Sequence, residues 1–241
     1  MRQLSGRTAI VTGAGRGIGR CIAARFAAEG LRVAAVARNR AELEALAADA
    51  AAGGRVVPVP ADISRPAEVR AAVERVRREL GPVDVLVNNA GIFLDRPLAE
   101  TTPEDFVRLY QTNVVGAVAM TQGVLPEMLA RKWGRIVNLC STASHRGYKG
   151  QSAYVASKHA LLGFTKVLAE ETRGKGVRVH ALSPGGVNTT MVEGRADIVR
   201  EDYMDPDEIA RFVVFLVSLE GIATTDEIVI RRDKAEPFRL S

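Results

Sequence analysis

Short aliphatic and β-branched runs alternate with longer alanine-rich amphipathic stretches along the whole chain, an order that few folds can accommodate. Apolar runs bounded by turn residues read as strands covered on both faces, and the longer stretches read as crossover helices. The pattern predicts seven strands, near residues 7–12, 31–37, 55–59, 83–87, 134–140, 176–182 and 226–230. It predicts helices over 17–29, 40–52, 66–80, 103–131, 151–173 and 206–217. Right-handed crossovers then give an α/β fold with a doubly wound seven-stranded parallel sheet. Pro66 and Pro206 suit first-turn helix positions, and Gly30, Gly53 and Gly81 stand where helices should stop. No linker, repeat or low-complexity tract interrupts the pattern, so 1–241 reads as one domain. Its one irregular stretch, 185–205, falls after the sixth strand and suits a flap over a site, with a short substrate lid near 189–205.

A composition of 47% hydrophobic and 25% charged residues supports a packed core and argues against disorder. The net charge of +5 asks whether the partner is a nucleic acid, a membrane surface or a phosphorylated ligand. The basic residues are dispersed: Arg70, Arg75, Arg77 and Arg78 interleave with Glu68, Glu74 and Glu79, which reads as a solvated helix face. No zinc-finger, RNP-type or basic-zipper pattern is present, so no nucleic-acid partner is expected. The two cysteines, Cys21 and Cys140, sit in apolar runs and offer neither a disulfide framework nor a CxxC metal site. The apolar stretch at the N-terminus is too short for a signal peptide, and no run approaches membrane-spanning length. A cytoplasmic, membrane-independent protein is the expectation.

The first strand runs directly into Thr12-Gly13-Ala14-Gly15-Arg16-Gly17-Ile18-Gly19, so a glycine-rich turn opens the first helix. Unpaired N–H groups there can take up a pyrophosphate, as in the Rossmann fold, although the glycines fall as GxxxGxG and a tight strand-to-helix packing would use the same residues. An acidic residue after the second strand would bind ribose hydroxyls, whereas an arginine accommodates a 2′-phosphate. Here the strand ends Val36-Ala37-Arg38, and Arg16 can add a second cation. That favours NADP(H) over NAD(H), the alternative being two surface arginines. Tyr154 and Lys158 lie four apart on one predicted helix and share a face. A nearby ammonium would favour the phenolate and bring Tyr154 toward working pH. Ser141, just past the fifth strand, can seat a substrate oxygen where charge develops. A YxxxK pair alone is also ordinary helix surface.

Taken together and in order, these residues resemble the short-chain dehydrogenase/reductase family. The resemblance is carried by the glycine turn, Asp62, Asn88-Asn89-Ala90-Gly91, Asn113, Ser141, Tyr154-x-x-x-Lys158 and Pro184-Gly185, and it extends over nearly the whole chain. It implies hydride transfer between NADP(H) and a small carbonyl or alcohol substrate, with Ser141, Tyr154 and Lys158 catalytic and Asn113 holding a relay water. It implies cofactor contacts from Gly13, Gly15, Arg16, Gly17, Ile18, Gly19 and Arg38. Asp62 and Ile63 would meet the adenine, Asn89 would lie along the cofactor, and Lys158 would bind the nicotinamide ribose. Pro184, Gly185, Val187 and Thr189 would secure the nicotinamide. Arg38 and the stretches around Asn88 and Tyr154 look most like the 3-oxoacyl-acyl-carrier-protein reductases. The helices over 103–131 and 151–173 resemble those that pair in the family's dimers, implying a homodimer or homotetramer.

Two departures stand out: the segment between Thr189 and Pro206 is shorter than the family's usual lid, and the chain reads Thr225-Asp226-Glu227-Ile228-Val229-Ile230-Arg231-Arg232 in place of a glycine-rich ending. Other readings are a sugar or polyol dehydrogenase of the same family, a nucleotide-sugar epimerase, which too little chain after Lys158 disfavours, and a non-enzymatic NADP-sensing protein. His145, His159 and His180 form no ligand cluster, so no metal is expected, and only His145 borders the expected substrate. Tyr148 and Met191 can line a pocket. Trp133, Phe212, Phe215 and Leu216 read as core.

Overall fold

The fold is described from a computed structural model, over residues 4–50, 54–192 and 202–235. Seven parallel strands, β1 (Thr8–Thr12), β2 (Arg32–Ala37), β3 (Arg55–Pro60), β4 (Val85–Asn88), β5 (Gly134–Leu139), β6 (Val177–Pro184) and β7 (Glu227–Ile230), lie in the order β3-β2-β1-β4-β5-β6-β7. Every predicted strand is present. The helices are α1 (Gly17–Ala28), α2 (Arg40–Ala50), α3 (Pro66–Leu80), α4 (Pro103–Tyr110), α5 (Gly116–Ala130), α6 (Ser152–Thr172) and α7 (Pro206–Ser218). Pro66 and Pro206 open α3 and α7, where a missing N–H costs nothing. Gly30 and Gly81 follow α1 and α3 with φ of +81° and +84°, a region in which glycine alone is unstrained. Gly53, expected to end α2, lies outside the described residues.

Alternation along each strand divides the core between two faces. On β1, Ala9 and Val11 pack with α1, α2 and α7 through Phe26, Leu43 and Val213, while Ile10 packs with α3 and α5 through Val73 and Val124. Residues such as Ile10 and Phe26, with no accessible surface, each contribute roughly 2 kcal/mol by leaving water. Strands β2 and β4 flank β1 on opposite sides, so the chain reverses direction across the sheet at the end of β1. A crevice opens there, past the carboxyl ends of the strands.

Two expectations are corrected. The run predicted as one helix over 103–131 is interrupted by a π-helical turn, Gln111–Val115, between α4 and α5. Gln111–Val115 carries no Pro or Gly that would mark a break, so the sequence does not reveal it. Phe212 and Phe215, read as core, are 39% and 47% exposed. The buried stripe of α7 is Ile209, Ala210, Val213, Leu216 and Val217; on a helix apolar nearly all round, periodicity does not decide which apolar side chains face inward. Leu216 is core as expected, and Trp133 is partly buried between the guanidinium groups of Arg7 and Arg135. Among the described residues, no helix is long and apolar enough to cross a membrane.

Candidate active site

The glycine turn after β1 is shaped by what its neighbours allow. Gly13 and Gly17 have φ of +67° and +55°, and a β-carbon at Gly13 would stand 2.8 Å from Asn89 Nδ2. Arg16, the residue before α1, gives the helix no side-chain cap, which leaves first-turn N–H groups facing the crevice. The turn is tied to the end of β4 by Thr12. Its hydroxyl donates to the Val87 carbonyl (3.3 Å) and accepts from the N–H groups of Asn89 (3.0 Å) and Ala90 (3.1 Å). The Asn89 amide returns to the carbonyls of Thr12 (2.9 Å) and Gly13 (3.3 Å). Asn88 points the other way, into the core, donating to Asn138 Oδ1 (2.9 Å) and Thr121 Oγ1 (3.2 Å).

A cleft of about 1250 Å³ runs along this edge, large enough for a dinucleotide with a small substrate. Gly13, Gly15, Arg16, Gly17, Ile18, Arg38, Asp62, Ile63, Asn89, Ser141, Tyr154, Lys158, Pro184, Gly185, Val187 and Thr189 all line it. Arg16 and Arg38 are exposed and form no ion pair among the described residues. Burial works against the Asp62 carboxylate, but two bonds from Ser64 (2.7 and 2.9 Å), with Arg38 and Arg65 nearby, outweigh it and hold its pKa below the ordinary value. After β6 the chain turns back over the glycine loop. Val187 bridges to Met204, and the Thr189 methyl would meet a β-carbon on Gly17 at 3.2 Å. The predicted lid lies in part outside the described residues, at 193–201.

The opposite wall handles protons. Ser141 follows β5 in an extended conformation, its hydroxyl accepting from the Ala143 N–H (3.1 Å) and hydrogen bonded to Tyr154. Phe93 meets the Tyr154 ring edge-on at 4.9 Å and fixes its plane. One turn along α6, the buried Lys158 donates to the Leu139 carbonyl (2.7 Å), with its ammonium 5.9 Å from the Tyr154 ring centroid. Burial pushes the Tyr154 hydroxyl up to about 12 while the Ser141 bond pulls it down; burial also lowers Lys158. Lys158, expected to bring Tyr154 toward neutrality, is not among the groups that shift it: the ammonium is committed to a carbonyl and desolvation dominates.

Two expected site residues do not face the cleft. A β-carbon at Gly19 would fall 2.4 Å or less from the Gly13 carbonyl and Asn89 amide, so this glycine lets α1 approach the turn rather than contacting a ligand. Asn113, in the π-helical turn, is 1% exposed, and its side chain makes three hydrogen bonds. It accepts from Ile92 N–H (2.8 Å) and donates to the Ile92 carbonyl (3.0 Å) and Ser157 Oγ (3.0 Å). That side chain clamps the β4 loop beside Lys158, with Gly91 between them. His145 is not on the cleft wall either: its Nε2 pairs with Glu227 (2.7 Å) and lies 3.3 Å from Ser183 Oγ. His180 is buried against the Thr225 carbonyl, and His159 is exposed. Burial holds the Cys140 thiol at about 11 and also raises Cys21, so both are inert protonated thiols.

Tyr148 and Met191 line the cleft as expected. Thr12 stood in the glycine-turn motif without a role, and it ties the two loops; Tyr203, Arg231 and Arg232, which line the far end, were not expected at the site. Arg231-Arg232 was visible as a departure from a glycine-rich ending; only the adjacency of β7 to β6 brings it to the site.

The family model described as short chain dehydrogenase matches residues 7–198. A 3-oxoacyl-[acyl-carrier-protein] reductase of Thermotoga maritima is 34% identical over 237 residues, covering 94% of this chain and 96% of that protein. An acetoacetyl-CoA reductase of Shinella zoogloeoides is 38% identical, covering 89% of this chain and 92% of that protein. A crystal structure of an actinorhodin polyketide ketoreductase variant with NADPH superposes with a TM-score of 0.87 at 35% identity, over 95% of this chain and 96% of that one. With the glycine turn, the Ser141–Tyr154 pair and Lys158 on one cleft, and a family match over most of its length, this chain belongs to the short-chain dehydrogenases.

Proposed function

We propose that this protein reduces a carbonyl to an alcohol with NADPH, reversibly, and that 3-oxoacyl thioesters are among the compounds it accepts. One observation carries the reading: a protonated Tyr154, hydrogen bonded to Ser141, faces the same cleft as an uncapped glycine turn flanked by two arginines. The cleft suits the cofactor because a glycine turn packed too closely for β-carbons lines it with uncapped N–H groups, and because Arg16 and Arg38 offer a 2′-phosphate the planar donors it needs. Gly13, Gly15, Gly17, Ile18 and Asn89 would hold the pyrophosphate side. Asp62 and Ile63 would flank the adenine, and Pro184, Gly185, Val187 and Thr189 the nicotinamide. NADPH supplies the hydride when bound.

Ser141 and Tyr154 orient the carbonyl oxygen by donating to it. Tyr154 then gives up its proton as negative charge develops there, a transfer favoured because the phenol is held protonated at neutral pH. Lys158, desolvated beneath the ring, stabilises the phenolate once it forms and offers its remaining donors to the cofactor ribose. Asn113 positions the loop at Ile92 and, through Ser157, the helix bearing Tyr154 and Lys158, and would hold the relay water. Thioesters enter from the reductase relatives, two of which are named for such substrates. The exposed Val107, Tyr110 and Val167 on α4 and α6 support a homo-oligomer, which light scattering would read as a multiple of 25.9 kDa.

The test is loss of NADPH absorbance with acetoacetyl thioesters, small ketones, quinones and sugars. Thioester turnover is the expected result. Tight NADPH binding with no turnover across the panel would replace this reading with a sensing role.

A further inference from the structure

The cleft continues past Tyr154 into a region that the proton chemistry does not use, and its charged groups are all arginines. Strand β7 delivers Arg231 beside the substrate serine: a β-carbon at Gly185 would lie 3.8 Å from Arg231 Cα and 3.7 Å from the methyl of Thr142, the residue after Ser141. Arg231 Nη1 donates to the carbonyls of Arg232 (3.2 Å), Asp233 (3.2 Å) and Ala235 (2.8 Å), which fixes its guanidinium. Arg232 lies over the Tyr203 ring at 4.7 Å, and that ring presses on Gly186, where a β-carbon would stand 2.5 Å from Cε1. Across the cleft Arg146 lies over the Tyr148 ring at 4.8 Å, with the Tyr148 hydroxyl donating to Thr142 (2.9 Å).

Carboxylates are segregated. Among the described residues lining the cleft they are only Glu42, beside the glycine turn at Gly15, and Asp62, after β3. Both stand at the adenine end. The substrate end therefore carries an excess of positive charge, with Arg231 anchored by backbone carbonyls and Arg232 backed by the Tyr203 ring. An uncharged ketone makes no use of that charge, whereas a planar oxyanion matches the donors of Arg231 and Arg232.

We propose that the substrate is an anionic carbonyl compound whose oxyanion is held by Arg231 and Arg232 while its carbonyl oxygen meets Ser141 and Tyr154. This rests on the carbonyl-reductase reading above. The oxyanion is either a carboxylate on the reacting molecule or a phosphate on the arm that carries it, and the two sources are separable by experiment.

The experiment compares kcat/KM, with NADPH and the full chain, for two matched pairs: acetoacetate against methyl acetoacetate, and acetoacetyl-CoA against the neutral acetoacetyl N-acetylcysteamine thioester. The charged member of at least one pair is expected to be favoured roughly tenfold or more, and the pair that shows it identifies the source. Added salt should erode the preference. In Arg231→Ala and Arg232→Ala the charged-to-neutral ratio should collapse toward unity, with the lysine variants retaining part of it. A ratio near one in both pairs, or one unchanged by these substitutions, overturns the inference while leaving carbonyl reduction standing. No turnover of any of the four compounds, or of a wider set of neutral ketones, overturns both.

Discussion

At the amino ends of the sheet strands, Asp84 accepts from the Thr8 N–H (2.9 Å) and binds Arg7 (3.2 Å) and Arg131 (2.7 Å), while Trp133 lies between Arg7 and Arg135. At the carboxyl ends, Arg16 and Arg38 face a cleft and form no close ion pair among the described residues, and Lys158 and Tyr154 are desolvated with few bonds. The same residue type serves opposite ends differently. Paired charge closes and stabilises one end; the other keeps charge without close ion pairs beside buried titratable groups, the arrangement that the proposed function at the strand carboxyl ends requires.

The largest effect that would sharpen this contrast is on Tyr154→Phe. It removes the hydroxyl while keeping the ring packed on Phe93, so turnover should fall by roughly a thousandfold, with NADPH affinity changed little in a fluorescence titration. Substantial residual turnover would show that the proton comes from elsewhere. Next is Asp84→Ala, which leaves two cations facing each other. Because Arg7 and Arg131 keep 27% and 30% of their side-chain surface, the expected loss is about 2 kcal/mol in urea unfolding, below that of a fully buried pair, with kcat unaltered. If kcat fell with stability unchanged, the two ends would not be separable.

Arg38→Asp should move the NADPH-to-NADH preference by roughly tenfold to a hundredfold toward NADH, by removing a charge-assisted bond to the 2′-phosphate and adding repulsion. An unchanged ratio would show that the phosphate is read by other groups. The smallest effect concerns pH. The Tyr154 hydroxyl is raised to about 12, so its proton is present throughout the neutral range and is lost only as pH climbs through the alkaline region. Reduction should therefore vary by less than about twofold between neutrality and mild alkalinity, whereas alcohol oxidation, which needs the phenolate, should speed up as pH rises. A reduction rate falling steeply near neutrality would mean that another group titrates.

These contrasts were legible from the sequence to different depths. The seven strands, the glycine turn and the tyrosine–lysine pair follow from local periodicity and spacing, because strand alternation, helix pitch and turn chemistry are properties of neighbouring residues. The interruption at Gln111–Val115 was not legible, since no Pro or Gly marks the π-helical turn that brings Asn113 onto Ile92 and Ser157. Gly19 and Gly17 look equivalent in the chain. Only the packing of α1 against the turn separates a glycine needed for close approach from one that borders the cleft.

The sequence by itself determined the fold class, the number and places of the strands, and which residues could do the chemistry. Tertiary structure decided how those residues are tuned. The raised pKa of Tyr154 comes from desolvation, Lys158 is drawn to the Leu139 carbonyl, and Arg231-Arg232 joins the cleft because β7 pairs with β6. Burial and contacts between residues distant in the chain set local electrostatics, and neither is encoded in the spacing of neighbours.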